Sequence, residues 1–296
     1  HGATHGGVED PRSTWLPTLR THVMTYVAFG PLGPKPALAV SVDGQSWRRL
    51  GPICFEYADE LNTDLNLFPN KDVVVFPEVV PDPDGHPSYA ILHRPMWDLS
   101  FARPGEPAPL PAGIEDARAG IWISYVDADA AVADLRAFAR PHSHRWLAGP
   151  SKPWEALKIG AGPTPGPNNP ENYSVAPWED LKIGAGPAPL RVPEGWLLIY
   201  HGVTGRINGL GSFVPQDGVH YVAAAMILDP ADPSRVLART STPLLEPATE
   251  SETSGAVPNV VFPTAIEKIG STHYVFYGMA DSMIGVARLD RTDTTA

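Results

Sequence analysis

The residues best suited to chemistry sit in a few short segments. In Glu9-Asp10-Pro11-Arg12, Pro11 biases Asp10 towards an extended backbone and stiffens the adjoining chain, so the direction of the carboxylate is fixed. A fixed carboxyl beside a guanidinium can act as a general acid next to an anion site. Further on, Asn70-Lys71-Asp72 precedes the apolar run VVVFPE, and His93-Arg94-Pro95 closes the next apolar run. If those runs pair as a hairpin-like unit, Lys71, His93 and Arg94 converge at one end, and three such groups suit phosphate or another oxyanion. Lys182 opens KIGAGP, where Gly184 to Pro187 make a turn that only small residues fit, and the run after it ends in Tyr200-His201-Gly202. Asp281, in YGMAD, lies between two apolar runs among small residues, where a carboxylate can bond hydroxyl groups. Each segment alone has a commoner structural explanation: a turn Asp bonding local N–H groups, a solvated Lys, a hydrogen-bonded His at a strand end. Trp97, Trp122, Trp178 and Tyr200 can stack on sugar faces, although such aromatics more often build a core.

Other chemistries find no support. There is no Gly-rich phosphate loop, HExxH zinc motif or GxSxG elbow, and the ten histidines show no metal-ligand spacing, so neither metal nor cofactor is expected. The net charge of −11 and pI near 5.3 provide no basic stripe for nucleic acid or an anionic membrane. Cys54 is the single cysteine, which rules out an intramolecular disulfide and fits a cytoplasmic location. The first residues, HGATHGGVED, do not read as a signal peptide, and no run approaches the roughly 18 apolar residues that span a bilayer.

The elements that must position these residues are strands. Short runs rich in Val, Ile, Tyr and Phe, closed by Gly, Pro or Asp, recur at His22 to Phe29, Ala37 to Val42, Asp72 to Val80, Tyr89 to His93 and Gly120 to Val126. They continue at Trp196 to Tyr200, His220 to Leu228, Asn259 to Ile266, Thr272 to Gly278 and Ile284 to Leu289, and only Ala128 to Arg140 reads as a helix. The chain is therefore all-β. VVVFPEVV with SYAILHRP, GWLLIYHGV, and VVFPTAIEKIG with HYVFYGMAD repeat one unit at blade-like spacing, which suggests a β-propeller whose strand ends line an axial site. The Pro-rich stretches 102–112 and 162–170 read as surface excursions, so residues 1–296 are expected to form a single domain. One block is duplicated: PWEALKIGAGPTP at 153–165 recurs as PWEDLKIGAGPAP at 177–189.

Taken in order, GVEDPR, NKDVVVFPE, LHRP, KIGAGPAP with GWLLIYHGV, and VVFPTAI with YGMADSMIGVARL resemble glycoside hydrolase family 130, the β-mannoside phosphorylases and related β-mannosidases. The resemblance implies a five-bladed β-propeller with the site on its axis, and, because GVEDPR lies so near the first residue, a first blade truncated or absent in this chain. It implies an inverting reaction in which inorganic phosphate, a co-substrate, attacks the anomeric carbon of a β-1,4- or β-1,2-linked mannosyl oligosaccharide and releases α-mannose 1-phosphate. Asp10 matches the general acid, its proton passing through a sugar hydroxyl. Lys71 and His93 match phosphate-binding positions, with Arg12 and Arg94 in the same motifs. Tyr200, His201 and Asp281 match positions around the mannosyl group, and Glu9, Asp72 and Lys182 join the substrate-binding set. A homo-oligomer is also implied.

Phosphorolysis competes with two other expectations. Family hydrolases tend to carry acidic residues where this chain keeps Lys71 and His93, and a carboxylate would repel phosphate, so the retained cations favour phosphate over water. Against this, the stretch after Tyr26 lacks the Arg and Asn that several phosphorylases present there, and Lys35 is its only cation. That departure favours an inverting β-mannosidase. A non-catalytic sugar-binding propeller is the third reading, prompted by the short first blade. The duplicate at 177–189 abuts GWLLIYHGV and is taken as the functional copy.

Overall fold

Each apolar run is short, ends at a turn residue and leads into the next run, so neighbours in sequence pair antiparallel. The structure, a computed structural model, describes residues 7–30, 33–97, 105, 109–150, 177–205 and 218–291. The first sheet is a meander of β1 (Gly7–Leu16), β2 (Thr21–Gly30), β3 (Gly33–Ser41) and β4 (Arg48–Pro52). The second runs β5 (Asn70–Val75), β7 (Pro87–Pro95), β8 (Ile121–Asp127) and β9 (His142–Ala148), with the two-residue β6 (Val80–Pro81) on β7. The third comprises β10 (Lys182–Ala185), β12 (Gly195–Thr204), β13 (His220–Leu228) and β14 (Val236–Arg239), with β11 (Leu190–Val192) on β12. The fourth is β15 (Val261–Ile269), β16 (Thr272–Met279) and β17 (Met283–Leu289). The first strands of the sheets meet one another, β1 on β5, β5 on β10 and β1 on β15, which is the arrangement of blades about a propeller axis.

Four sheets are present among the described residues, not the five blades expected. The strand-like runs suffice for four meanders, and all of them are used. The helix expected over 128–140 is also broken. Asp127 caps the short α1 (Ala128–Ala133), Asp134 then returns to extended backbone, and a 3-10 turn (Leu135–Ala139) comes next. A second short helix, α2 (Glu250–Thr253), precedes β15 behind a capping box at Thr249. The expected surface excursion at 162–170, the first KIGAGP block at 153–165 and most of the excursion at 102–112 lie outside the described residues. No helix among the described residues is long and apolar enough to cross a membrane.

Strand alternation sends successive residues into different cores. On β5, Val73 and Val75 join the core between the first and second sheets, while Val74 and the next aromatic, Phe76, join the core between the second and third. β7 divides in the same way, Tyr89 and Ile91 from Ala90 and Leu92. A smaller third core, with Ile199, Ala223, Val261, Val275 and Tyr277, joins the third and fourth sheets. Beyond it, Trp15 on the first sheet and Ile284 and Val286 on the fourth are exposed.

A buried charge pair ties the second sheet to the third. Arg239 donates to Glu179 Oε1 at 2.7 Å, to the Tyr200 hydroxyl at 2.8 Å and to the Gly149 carbonyl at 2.9 Å, and Tyr200 itself donates to Glu179. Removing one member of such a pair leaves its partner's charge in low dielectric, at a cost of about 3–5 kcal/mol. Arg239→Ala should lower stability by that order in urea unfolding. A change within measurement error would mean that Glu179 does not depend on Arg239.

Candidate active site

The axial ends of the inner strands carry most of the polar residues that the sequence marks for chemistry, and β-bulges aim two of the carboxylates. The β1–β2 register shifts between Glu9 and Arg12, and Asp10 takes φ 54°. The extended backbone expected from Pro11 is therefore not adopted at Asp10, because the bulge places it in the left-handed region. The β5–β7 register shifts between Lys71 and Val74, and Asp72 takes φ 55°. Two non-glycine residues in the left-handed region at neighbouring strand starts are strained positions of the kind that gather at functional sites.

Asp72 is the centre of the group. It is fully buried and accepts from Arg94 Nε on one oxygen and from Arg12 Nη2, at 3.2 Å, on the other. His201 Nε2 stands 3.5 Å away. Burial alone would raise the Asp72 pKa, but the opposing charges win and hold it well below the usual carboxylate range. The two guanidinium groups do this, since burial pushes His201 down to about 3 and leaves it neutral. Arg12 also donates to the Gly186 carbonyl at 2.9 Å and the Ala185 carbonyl at 3.1 Å, so one side chain joins β1, β5 and the KIGAGP turn. That turn needs its glycine: a Cβ on Gly184 would lie 2.1 Å from Asp72 Oδ2 and 2.6 Å from His201 Nε2.

The groups around Asp72 leave donors free. Among the described residues, Arg94 Nη1 is buried without a hydrogen-bond partner, as are both ring nitrogens of His201. Lys182 lies over the Tyr221 ring at 5.4 Å, and burial, with Arg94 nearby, lowers its pKa well below that of an ordinary lysine. Asp10 shows the opposite balance to Asp72. Burial raises its pKa, and the lowering effects of Arg12 and Lys71 do not overcome this. Lys71 is engaged by Glu9 at the exposed edge of the group, and its charge, with that of Glu9, is felt by Asp281. Asp281, at φ 52° in the β16–β17 turn, has its pKa raised chiefly by burial. Together these residues form an acid, a cluster of cations and several hydrogen-bonding groups at one end of the axis.

Two expected site residues are not part of it. His93 is fully buried on the other face of β7 from Arg94, with Nδ1 against Asn70 and Nε2 against Ser124, and burial lowers its pKa so that it is neutral. Both ring nitrogens are engaged in this arrangement, and neither faces the group around Asp72. Tyr200 faces away from His201 into the core between the second and third sheets, and its hydroxyl is taken by Glu179 and Arg239. Lys35 is also withdrawn, donating to the Asn66 and Phe68 carbonyls at 2.7 Å each. Residues missed in the sequence are Tyr221, whose pKa is raised by burial beside these charges, and Phe262, stacked on His201 at 4.7 Å and under Arg12 at 5.3 Å. Neither carries a sequence signal beyond an aromatic in a strand. Elsewhere, Asp82, Asp84 and His86 gather in the β6–β7 turn, where Asp82 accepts the backbone N–H groups of the other two.

Comparison with known proteins agrees with this fold. Residues 152–294 match the family described as β-1,4-mannooligosaccharide phosphorylase. A β-1,2-mannobiose phosphorylase of Thermoanaerobacter sp. (strain X514) is 30% identical over 291 residues, covering 96% of this chain and 67% of that protein. A β-1,4-mannooligosaccharide phosphorylase of Ruminococcus albus is 40% identical over 146 residues, 49% of this chain and 34% of its own. The β-1,2-mannobiose phosphorylase of Listeria innocua, solved with β-1,2-mannobiose, superposes with a TM-score of 0.62 at 27% identity, covering 96% of this chain and 58% of that one. The chain belongs to glycoside hydrolase family 130, and it spans about two thirds of the Thermoanaerobacter relative's length.

Gly184→Ala should move Asp72 and His201 by the order of an ångström, a displacement that costs about a hundredfold in turnover. The measurement is kcat/KM against Gly30→Ala, whose added Cβ meets nothing within 4 Å and whose backbone is not in the left-handed region. Equal effects from the two substitutions would contradict the close-approach argument.

Proposed function

We propose that this chain is a single catalytic propeller domain that phosphorolyses β-1,2- or β-1,4-linked mannosides with inversion. The observation that carries the reading is a buried, unpartnered Arg94 Nη1 with Lys182 nearby, in the same group as an acid whose protonated form burial favours. A phosphate oxygen forms the new bond to the anomeric carbon while the bond from that carbon to the acceptor oxygen breaks with its electron pair. The Asp10 proton passes to the departing oxygen, through a sugar hydroxyl in the route the family resemblance implies. Arg94, Lys182 and Lys71 balance the charge of the phosphate and of the product, α-mannose 1-phosphate. His201, Asp281, Glu9 and the Tyr221 and Phe262 rings are the mannoside contacts in this reading, and Asp72 fixes the two guanidinium groups. Lys182 is poorly stabilised as a cation until an anion arrives, so phosphate restores its charge.

One observation favours water as the nucleophile instead: Lys35 is committed to backbone carbonyls and cannot stand in for the Arg and Asn that several phosphorylases carry in that stretch. The two reactions separate by product. With β-1,2- and β-1,4-mannobiose, phosphorolysis gives α-mannose 1-phosphate only when phosphate is present, and free mannose at the same rate without phosphate contradicts it.

Asp10→Asn provides a second check with a worked sign. The folded pKa of Asp10 lies above its ordinary 3.8, so the neutral form favours folding. That contribution is complete below 3.8 and is lost as pH rises through the folded value. Asp10→Asn should therefore abolish turnover, keep mannoside binding, and raise Tm at neutral pH, with the gain vanishing in acid. A variant with full turnover would remove Asp10 from the acid role.

A further inference from the structure

Each of the four long strands of the second sheet contributes one side chain to a continuous polar row. Asn70 Nδ2 on β5 lies 3.0 Å from His93 Nδ1 on β7, and His93 Nε2 lies 2.8 Å from Ser124 Oγ on β8. Ser124 Oγ is 2.8 Å from His144 Nδ1 on β9, and His144 Nε2 ends the row 2.7 Å from the Glu56 carbonyl oxygen. All four residues are buried, and Phe55 covers them, 4.4 Å from the His93 ring and 5.5 Å from that of His144. A polar row in an apolar face is tolerable only if every group is satisfied, and here each ring nitrogen has a partner.

The direction of the row is set by one backbone contact. The Arg94 N–H donates to Asn70 Oδ1 at 3.1 Å, which fixes the amide orientation, so Nδ2 must donate to His93 Nδ1. His93 then carries its proton on Nε2 and donates to Ser124. The Ser124 hydroxyl donates to His144 Nδ1, and His144 donates from Nε2 to Glu56. Both rings are neutral, since burial lowers the pKa of each. The row thus runs one way between two backbone anchors, the Arg94 N–H and the Glu56 carbonyl. Its inner end sits where the β5–β7 ladder breaks, immediately after Lys71 pairs with Arg94. A bulge removes ladder bonds that would otherwise fix the strand, and the Asn70 amide supplies a substitute there.

We propose that Asn70, His93, Ser124 and His144 are positioning residues for Arg94, holding its backbone beside the Asp72 bulge so that Nε engages Asp72 and Nη1 stays directed at the substrate anion. This rests on the anion-binding role proposed for Arg94. In metal sites, outer groups that orient a ligand change affinity by about ten- to a hundredfold when removed, and the same order is expected here.

The experiment is titration of the whole chain with inorganic phosphate, comparing Ser124→Ala with Ile123→Val, a buried neighbour whose side chain enters the core on the opposite face of β8. Ser124→Ala should weaken phosphate binding about tenfold or more while leaving the mannoside dissociation constant unchanged, and Ile123→Val should alter neither. Equal effects of the two variants on phosphate, or equal losses of phosphate and mannoside in Ser124→Ala, overturn the proposal. Should the wild-type chain release mannose without phosphate, the phosphorolysis reading falls by itself. The row is then judged on that hydrolysis: a tenfold lower kcat in Ser124→Ala than in Ile123→Val supports it, and equal kcat overturns it. If Ser124→Ala does not fold, ¹⁵N shifts of the wild-type rings decide. Nε2–H tautomers at both His93 and His144 support the row, and an Nδ1–H tautomer at either contradicts it.

Discussion

The buried carboxylate of Asp72 is the constraint on which the axial group depends. A lone charge at that depth would be neutralised, so the position requires cations, and Arg12 from the first sheet and Arg94 from β7 supply them. Each guanidinium then has a second task. Arg12 reaches the carbonyls of Ala185 and Gly186 and pins the KIGAGP turn, while Arg94 keeps Nη1 free. His201 and Gly184 close over the far side of the carboxylate, where there is no room for a Cβ. One ion-pair cluster therefore sets the relative positions of β1, β5, β7, β10 and β12.

The same cluster separates the two carboxylates. Asp72, between two arginines, stays ionised, whereas Asp10, at the neighbouring bulge, is buried more than it is compensated, which raises its pKa. Environments that push paired acids apart are how a site obtains a proton donor and a fixed negative charge from one residue type. The lysines differ too: Lys71 is ion-paired with Glu9 at the exposed edge, while Lys182 has no acid bonded to it among the described residues and a lowered pKa. An entering dianion meets its strongest unmet demand at Arg94 and Lys182.

Much of this was legible in the sequence. Apolar runs closed by Gly, Pro and Asp gave the strands, and the ordered motifs placed Asp10, Arg12, Lys71, Asp72, Arg94, Lys182, His201 and Asp281 in one region. His93 and Tyr200 stand apart from the group for a common reason. Each is adjacent in a strand to a site residue, Arg94 or His201, and the two-residue period allows only one of each pair to face the axis. The bulge at Asp10 overrode the preference imposed by Pro11, and the fifth blade was a family expectation with no run of this chain behind it. Asn70, Tyr221 and Phe262 were invisible because their roles depend on pairing between strands distant in sequence, which no local pattern records.

The anion site decides the chemistry of the axial group, and a crystal structure of the chain grown with inorganic phosphate would locate it. The prediction is a phosphate oxygen within hydrogen-bonding distance of Arg94 Nη1, with Lys182 alongside and the Asp72 ion pairs intact. Phosphate seated at Lys71 and Glu9 with Arg94 Nη1 unengaged, or held by a His93 withdrawn from Asn70 and Ser124, would contradict it.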